Sequence, residues 1–178
     1  EKSSGHIQLD CGNDYNDFDE KKFLHEYKKC KFFDHQGSHW APHLIHKNFW
    51  DKIGGFSEEF NPGIGSDPDL NMKLWKSGVR IYKGLSKFRV YHFGSVVLRK
   101  KKNFKRNKGA KTFLLKWGIT PTFFVRFYLH GGKFENGIIK CNKYEGPLNE
   151  PVKNLAFLFN LFLCKLKLAY TKILNFKF

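Results

Sequence analysis

The sequence predicts an α/β fold, in which a mixed sheet is flanked by helices and followed by an amphipathic helical tail. Capped segments with apolar residues at helical spacing alternate with short runs rich in β-branched and aromatic residues. Apolar residues at helical spacing recur among lysines over residues 152–178. The 178 residues, 41% of them hydrophobic, are enough for one core with a tail and exclude a disordered chain.

Three elements are predicted in the first third of the chain. HIQL, residues 6–9, is typical of a short strand. EKKFLHEYKKC follows Asp19, whose carboxylate can accept a hydrogen bond from a first helical turn, so a helix is predicted to begin there. A second helix is predicted over residues 46–53, because its large apolar residues share one face and Gly54 supplies the stop.

The middle of the chain predicts a helix followed by two strands. Asp67 can cap a helix whose first residue is Pro68, and Gly78 ends it. VRIYK (79–83) and FRVYH (88–92) are typical of strands, and the second of them ends in a histidine. A helix start with acids and a strand end with a histidine are common positions for functional side chains.

In the C-terminal part, TFLLKWGI and TFFVRFYL are amphipathic or buried segments, and we expect them to pack on the sheet. We expect one unit over residues 1–132, a linker rich in Gly, Asn and Pro over 133–151, and a helical tail over 152–178. The apolar stripe of the tail leaves two alternatives open, which are packing on the body of the protein and lying in a membrane interface. The stripe consists of Leu155, Leu158, Phe162, Leu166, Ala169 and Ile173.

Positive charge is concentrated in the second part of the chain. Residues 1–69 carry 8 Lys and Arg against 13 Asp and Glu, whereas residues 70–178 carry 24 against 3. The run at residues 99–111 holds eight of these cations. Such a surface attracts phosphate groups in a nucleotide sugar, an anionic membrane or a nucleic acid. No recognised nucleic-acid-binding motif accompanies the charge, so a nucleic-acid partner is not expected.

The cysteines and the longest apolar run indicate in which cellular compartment the protein is expected. The four cysteines are far apart and form no CxxC pair, which favours a reducing, cytoplasmic setting over a disulfide scaffold. Residues 155–164 are interrupted by Asn160 and are too short to cross a bilayer, which takes about 20 apolar residues. We therefore expect a cytoplasmic protein, either free or peripheral on the inner face of the membrane.

Several motifs in order resemble one enzyme family. Residues 49–84, FWDKIGGFSEEFNPGIGSDPDLNMKLWKSGVRIYKG, are followed by FRVYHFGS and KRNKGAKTFLLKWGIT. They are similar to the C-terminal half of bacterial family 2 glycosyltransferases, with a GGF-D/S-E-x-F turn, a Gly-rich approach to an acidic motif at a helix start, and a strand ending in histidine. The resemblance covers about residues 36–130. It implies the acceptor-side part of a GT-A fold, with the nucleotide-binding half outside this chain.

The resemblance implies inverting transfer from a nucleoside-diphosphate sugar to a glycan or lipid-linked acceptor in cell-surface polysaccharide synthesis. Asp67 matches the family's general base, which takes a proton from the acceptor hydroxyl as it attacks the anomeric carbon. The family's Glu-Asp pair is Ser66-Asp67 here, so one carboxylate is absent. Asp69 matches the acid that follows and either takes part in catalysis or orients the helix start. Without a nucleotide-binding half, we expect little activity from this chain alone.

The same resemblance assigns further residues. Trp40 lies in SHWAPHLIHK, a loop where an aromatic plane can pack on a sugar ring, and core packing of Trp40 is an equal alternative. Gly65, Ser66 and Lys108 are assigned to substrate binding. A divalent Mn²⁺ or Mg²⁺ ion is expected for the intact enzyme, with His92 as a metal or diphosphate contact. The alternative for His92 is a histidine that closes a strand edge.

Two other patterns, an Asp-x-Asp motif and a group of histidines, are weaker candidates for metal binding. Asp17-Phe18-Asp19 lacks the apolar strand that precedes the family's metal-binding DxD, so helix capping explains it better. Four histidines are close enough in sequence for zinc, but Pro42 interrupts any helix that would align them: His35, His39, His43 and His46. A non-catalytic basic module that binds a membrane surface or nucleic acid remains the alternative function.

Overall fold

The computed structural model describes residues 3–94, 108–135 and 138–175. Over these ranges the protein is a mixed α/β chain with six α-helices and short antiparallel strands. The helices are α1 (Glu20–Lys29), α2 (Lys47–Ile53), α3 (Ser66–Lys76), α4 (Gly109–Trp117), α5 (Pro121–Phe124) and α6 (Leu155–Asn175). A 3-10 helix covers Glu58–Phe60, and a π-helical segment, Val125–Leu129, continues α5.

The strands form two small sheets. They are β1 (Ser3–His6), β2 (His35–Gln36), β3 (Lys83–Gly84), β4 (Lys133–Glu135) and β5 (Ile138–Cys141). β5 lies between β1 and β4 in a three-stranded sheet, and β2 pairs with β3. Every pairing between these strands is antiparallel, so the predicted mixed sheet is wrong in its strand directions over the part of the chain that is described.

The first two helix predictions are confirmed, and their caps explain where they begin and end. An oxygen of Asp19 accepts a hydrogen bond from the backbone N–H of Lys22 across 2.9 Å at the start of α1. At α2, Nδ1 of His46 accepts from the N–H of Asn48 across 3.2 Å. Gly54 ends α2 with φ at 69°, a left-handed conformation that glycine adopts without steric cost.

Helix α3 begins two residues earlier than predicted, so Asp67 lies inside its first turn and is not its cap. The cap is Gly65, with φ at 90°, and as a glycine it has no side chain that could accept a capping hydrogen bond. The predicted end is confirmed, because the helix finishes at Lys76 and Gly78 follows with φ at 99°. A carboxylate in the first turn is favoured by the partial positive charge of the helix N-terminus.

The strand predictions were largely wrong. Those over residues 6–9 and 79–83 each overlap an observed strand at one residue. No strand forms over residues 88–92, all of which are described. Phe88 and Val90 keep 50% and 59% of their surfaces exposed, so the apolar residues of this run are not packed on a core face. Apolar alternation predicts a strand only where one face is buried.

The range 133–151, predicted as a linker, contains the hairpin formed by β4 and β5. Cys141 of β5 is opposite Ser3 of β1, so the hairpin pairs with the first strand of the chain. Beyond the hairpin, the backbone N–H of Leu148 donates to the carbonyl of Arg80 across 2.8 Å. This segment therefore packs along the body of the protein.

The core lies between α3, α4 and α5. Leu70, Phe113 and Phe124 are fully buried at its centre, and α6 adds Phe157 and Cys164 from one side. No helix in the described ranges has the length and apolar character needed to cross a bilayer. The first turn of α3 meets this core with a carboxylate, Asp69, that is also fully buried.

Candidate active site at the start of helix α3

The Asp69 carboxylate is buried and held by three protein groups. Oδ2 accepts a hydrogen bond from the Ser57 hydroxyl across 2.6 Å, and Oδ1 accepts from the indole Nε1 of Trp117 across 2.7 Å. The ammonium of Lys116 lies 3.0 Å from Oδ1. A buried carboxylate is stable only when paired and hydrogen-bonded, and here both oxygens are engaged. Asp69 therefore ties α3 to α4 and to the loop before the 3-10 helix.

Lys116 joins this cluster to a second acid. Its Nζ is 2.7 Å from Oε1 of Glu59 and 3.0 Å from Oγ of Ser57. Partial burial opposes the charged form, but hydrogen bonds to Glu59 and Asp69 outweigh it and raise the pKa of Lys116. The hydrogen bond from Lys116 also holds the pKa of Glu59 below its usual range. The cluster is thus a stable ion-pair network.

Asp67 has a different environment, although it is only two residues away. Its carboxylate is half-buried, and no hydrogen bond from a protein donor to its side-chain oxygens is seen among the described residues. Burial raises the pKa of Asp67, and the nearby His43 imidazole opposes this shift. A carboxylate that is desolvated without fixed partners is a better proton acceptor than one in an ion pair.

Asn71 organises the polar groups around Asp67. Its Nδ2 donates to the backbone carbonyl of Asp67 across 2.7 Å and to that of His39 across 3.0 Å. The same nitrogen lies 3.5 Å from Nε2 of His43. Nδ1 of His39 donates to the carbonyl of Gly37 across 2.7 Å, and burial lowers the pKa of His39, so this ring is neutral at neutral pH. The loop holding both histidines is therefore attached to α3.

A cavity of about 610 Å³ opens beside this group of residues. His43, Trp50, Phe56 and Leu70 are among the side chains that line it. Leu70 is three residues after Asp67, so both lie on one face of α3. The rings of Trp50 and Phe56 meet edge to face with centroids 5.7 Å apart, and 39% and 47% of their surfaces are exposed. Exposed aromatic planes of this kind can pack on sugar rings.

The structure brings most of the predicted substrate-binding residues to this end of α3. Gly65 and Ser66 start the helix, and Gly109 packs so closely against Ile64 and Gly65 that a β-carbon on it would overlap the Ile64 carbonyl. Lys108, which is exposed, precedes Gly109 and so lies beside this turn. Trp40 is 37% exposed, with its ring centroid 3.9 Å from that of His39.

His92 is not brought to this site by any contact described for its neighbours. It is exposed in an irregular segment, so it does not close a strand edge. The hydroxyl of Tyr91 donates to the carbonyl of Leu9 across 3.0 Å, and Phe93 packs edge to face on Phe18. The segment around His92 is thus attached to the N-terminal part of the chain.

The described residues contain no group of three or more His, Cys, Asp or Glu side chains that could hold a metal ion. The capping explanation for the Asp17 and Asp19 motif is confirmed, since Asp19 caps α1 and Asp17 accepts from the backbone N–H groups of Asn13 and Asp14. Positions 99–107 of the basic run lie outside the described residues.

Several residues around the two acids were not predicted from the sequence. His43 and Asn71 lie near Asp67, whereas Lys116 and Trp117 bind Asp69. Asn71 was detectable in principle, because a polar residue four positions after an acid shares its helix face. Lys116 and Trp117 gave no local signal, because they are nearly 50 residues from Asp69 in the chain.

Comparisons of the chain with protein-family models, with curated proteins and with solved structures find no match.

Proposed function

We propose that this chain forms the acceptor-side part of a family 2 glycosyltransferase with a GT-A fold. It would transfer a sugar from a nucleoside-diphosphate sugar to a hydroxyl of a glycan or lipid-linked acceptor. The observation that most supports the proposal is the half-buried Asp67 carboxylate, whose pKa is raised by burial, beside an open cavity lined by aromatic side chains. In this proposal Asp67 is the general base.

The chemistry of Asp67 suits this role. A sugar hydroxyl is a weak nucleophile, and removal of its proton in the transition state accelerates attack by about 10²–10⁴-fold. Desolvation raises the pKa of Asp67 and so increases its basicity. The proton passes to Asp67 as the acceptor oxygen bonds to the anomeric carbon and the nucleoside diphosphate departs.

Asp69 is a positioning residue in this proposal. Its oxygens are engaged by Ser57, Trp117 and Lys116 and are buried from any acceptor. It holds the first turn of α3, which contains Asp67, against α4. This assigns different roles to the two carboxylates that the sequence placed together.

The acceptor would lie in the cavity beside α2 and α3. Trp50 and Phe56 offer apolar planes for a sugar ring, and Lys47 and Asp51 offer polar groups at the same cavity. The leaving diphosphate needs positive charge, and Lys108 is the cation that the sequence assigns to substrate binding. The described residues offer no ligand set for the expected Mn²⁺ or Mg²⁺, so that ion stays a prediction for the intact enzyme.

Nucleotide binding and sugar transfer test the proposal together. UDP and GDP would be titrated with and without Mn²⁺ into this chain and into the chain extended upstream through its reading frame. We expect nucleotide binding by the extended protein, and we expect Asp67→Asn to lower sugar transfer at least about 100-fold without changing nucleotide affinity. Asp10→Asn, at an exposed acid outside the site, is the matched control.

The alternative function makes the opposite prediction. If the protein is a basic binding module, neither this chain nor the extended chain should bind UDP or GDP. It should instead bind oligonucleotides with an affinity that falls steeply as the salt concentration rises. That pair of results would overturn the glycosyltransferase proposal.

A further inference from the structure

Helix α6 has two apolar faces, and only one of them is packed on the protein. Phe157 and Cys164 are 4% and 5% exposed and face the core beside α4 and α5. At 100° per residue, Leu155, Phe162 and Leu166 lie roughly opposite these two residues on the helix. They keep 86%, 56% and 51% of their surfaces exposed.

The open face is the apolar stripe that the sequence pattern had identified. Ile173 continues it at 58% exposure and Phe159 widens it at 62%. Leu155 and Ile173 point in one direction, and the 1.5 Å rise per residue makes the stripe about 27 Å long. Packing on the body of the protein therefore does not explain the stripe, because different residues of α6 make that contact.

The charges beside the stripe indicate what covers it. Lys167 and Lys172 lie on opposite borders of the open face by helical geometry. Residues 155–175 include no acidic residue. Arg126, in the π-helical segment, and Lys167, in α6, line the same surface pocket, so Arg126 adds a further positive charge beside the helix. Apolar and aromatic side chains between cations are typical of helices that lie in an anionic membrane interface.

We propose that α6 binds an anionic lipid surface, with its open face inserted at the boundary between headgroups and acyl chains. The lysines at its borders then contact lipid phosphates, and Phe159, Phe162 and Leu166 enter the apolar layer. A second copy of this chain is a poorer occupant, because pairing two open faces brings lysines together without acids on either helix. This site is independent of the proposed transferase chemistry.

Vesicle flotation tests this proposal with the chain as it is. The probes are vesicles of phosphatidylcholine alone and of phosphatidylcholine with phosphatidylglycerol, each at low and high salt. We expect flotation with the anionic vesicles and a loss of about tenfold or more in partitioning for Leu166→Glu. High salt should weaken binding, because the lysine contribution is screened.

Leu24→Glu is the matched control, because Leu24 lies on α1 with 47% exposure against 51% for Leu166. It should float as well as the original chain, and circular dichroism should show both variants folded. Equal flotation of the two variants would overturn the proposal, as would a failure of the original chain to float with anionic vesicles. Dimerisation abolished by Leu166→Glu, without vesicle binding, would assign the face to a second copy instead.

Discussion

The indole Nε1 of Trp117 donates a hydrogen bond of 2.7 Å to Oδ1 of Asp69, joining two helices through residues 48 positions apart. Ser57 donates to the other oxygen across 2.6 Å. This arrangement fixes the first turn of α3 against the core. Asp67 lies in the same turn but is only half-buried, and no hydrogen bond to its carboxylate is seen among the described residues.

Asp69→Asn should lower the free energy of unfolding by about 3 kcal/mol, because it removes a buried charge that pairs with Lys116 and leaves one of three donors without an acceptor. Urea denaturation followed by circular dichroism measures the change. Asp51→Asn is the control, since its ion pair with Lys47 is exposed and should contribute no more than about 0.5 kcal/mol. Equal losses in the two variants would contradict a special role for Asp69.

Gly109→Ala should destabilise the turn before α3. A β-carbon there would overlap the carbonyl of Ile64, and backbone cannot move aside as a flexible side chain can. We expect a loss of about 3 kcal/mol in the free energy of unfolding. Gly146→Ala meets no atom within 4 Å and should cost only the strain of its φ of 129°, about 1 kcal/mol. A Gly109→Ala variant as stable as the original chain would show that this contact is looser than described.

Acid should destabilise the protein through His35. Burial, with the positive charge of Arg89 as a second cause, lowers the pKa of His35 to about 4. The unfolded chain binds a proton near pH 6.5, so this contribution is fully present above that pH and is lost as pH falls toward 4. Between these limits we expect a loss on the order of 1–2 kcal/mol, measured by urea denaturation at several pH values.

His35→Gln should flatten that pH dependence, whatever its effect on stability at pH 7. His25→Gln, on the exposed side of α1, should leave the dependence unchanged. An unaltered slope in His35→Gln between pH 6.5 and 4 would mean that other groups bind the protons.

Asp67→Asn should stabilise the fold at neutral pH. The folded pKa of Asp67 is raised above its unfolded value by burial, so the original chain loses stability as pH rises through that folded pKa. The Asn side chain does not titrate, so it adds no pH dependence to stability. The free energy of unfolding of the variant should therefore exceed that of the original chain by an amount that grows from about pH 4 upward and then levels off. Denaturation curves across this range measure it, and a less stable Asp67→Asn variant would indicate that the carboxylate has an ion-pair partner.

The helices could be predicted because their signals are local. Asp19 caps α1 and Gly54 ends α2 within the segments that they delimit. The hairpin of β4 and β5 was missed, because β5 pairs with β1 more than 130 residues earlier and its sequence is rich in turn residues. Local pattern also failed at residues 88–92, where apolar alternation occurs without a buried face.

The sequence pattern identifies both acids at the start of α3 but not the different surroundings of their carboxylates. Asp67 and Asp69 look alike in sequence, and only the contacts of Trp117 and Ser57 with Asp69 separate a buried, hydrogen-bonded carboxylate from a half-buried one. The tail shows the same limit, because helical spacing identified an apolar stripe in α6 but gave no indication that the opposite face is the packed one.

The role of Asp67 as general base is decided by the rate of sugar transfer by Asp67→Asn in the upstream-extended protein, with nucleotide affinity measured in parallel. We expect transfer to fall at least about 100-fold while affinity for the nucleoside diphosphate stays unchanged. Transfer at the original rate in Asp67→Asn would contradict the assignment of Asp67 as the general base.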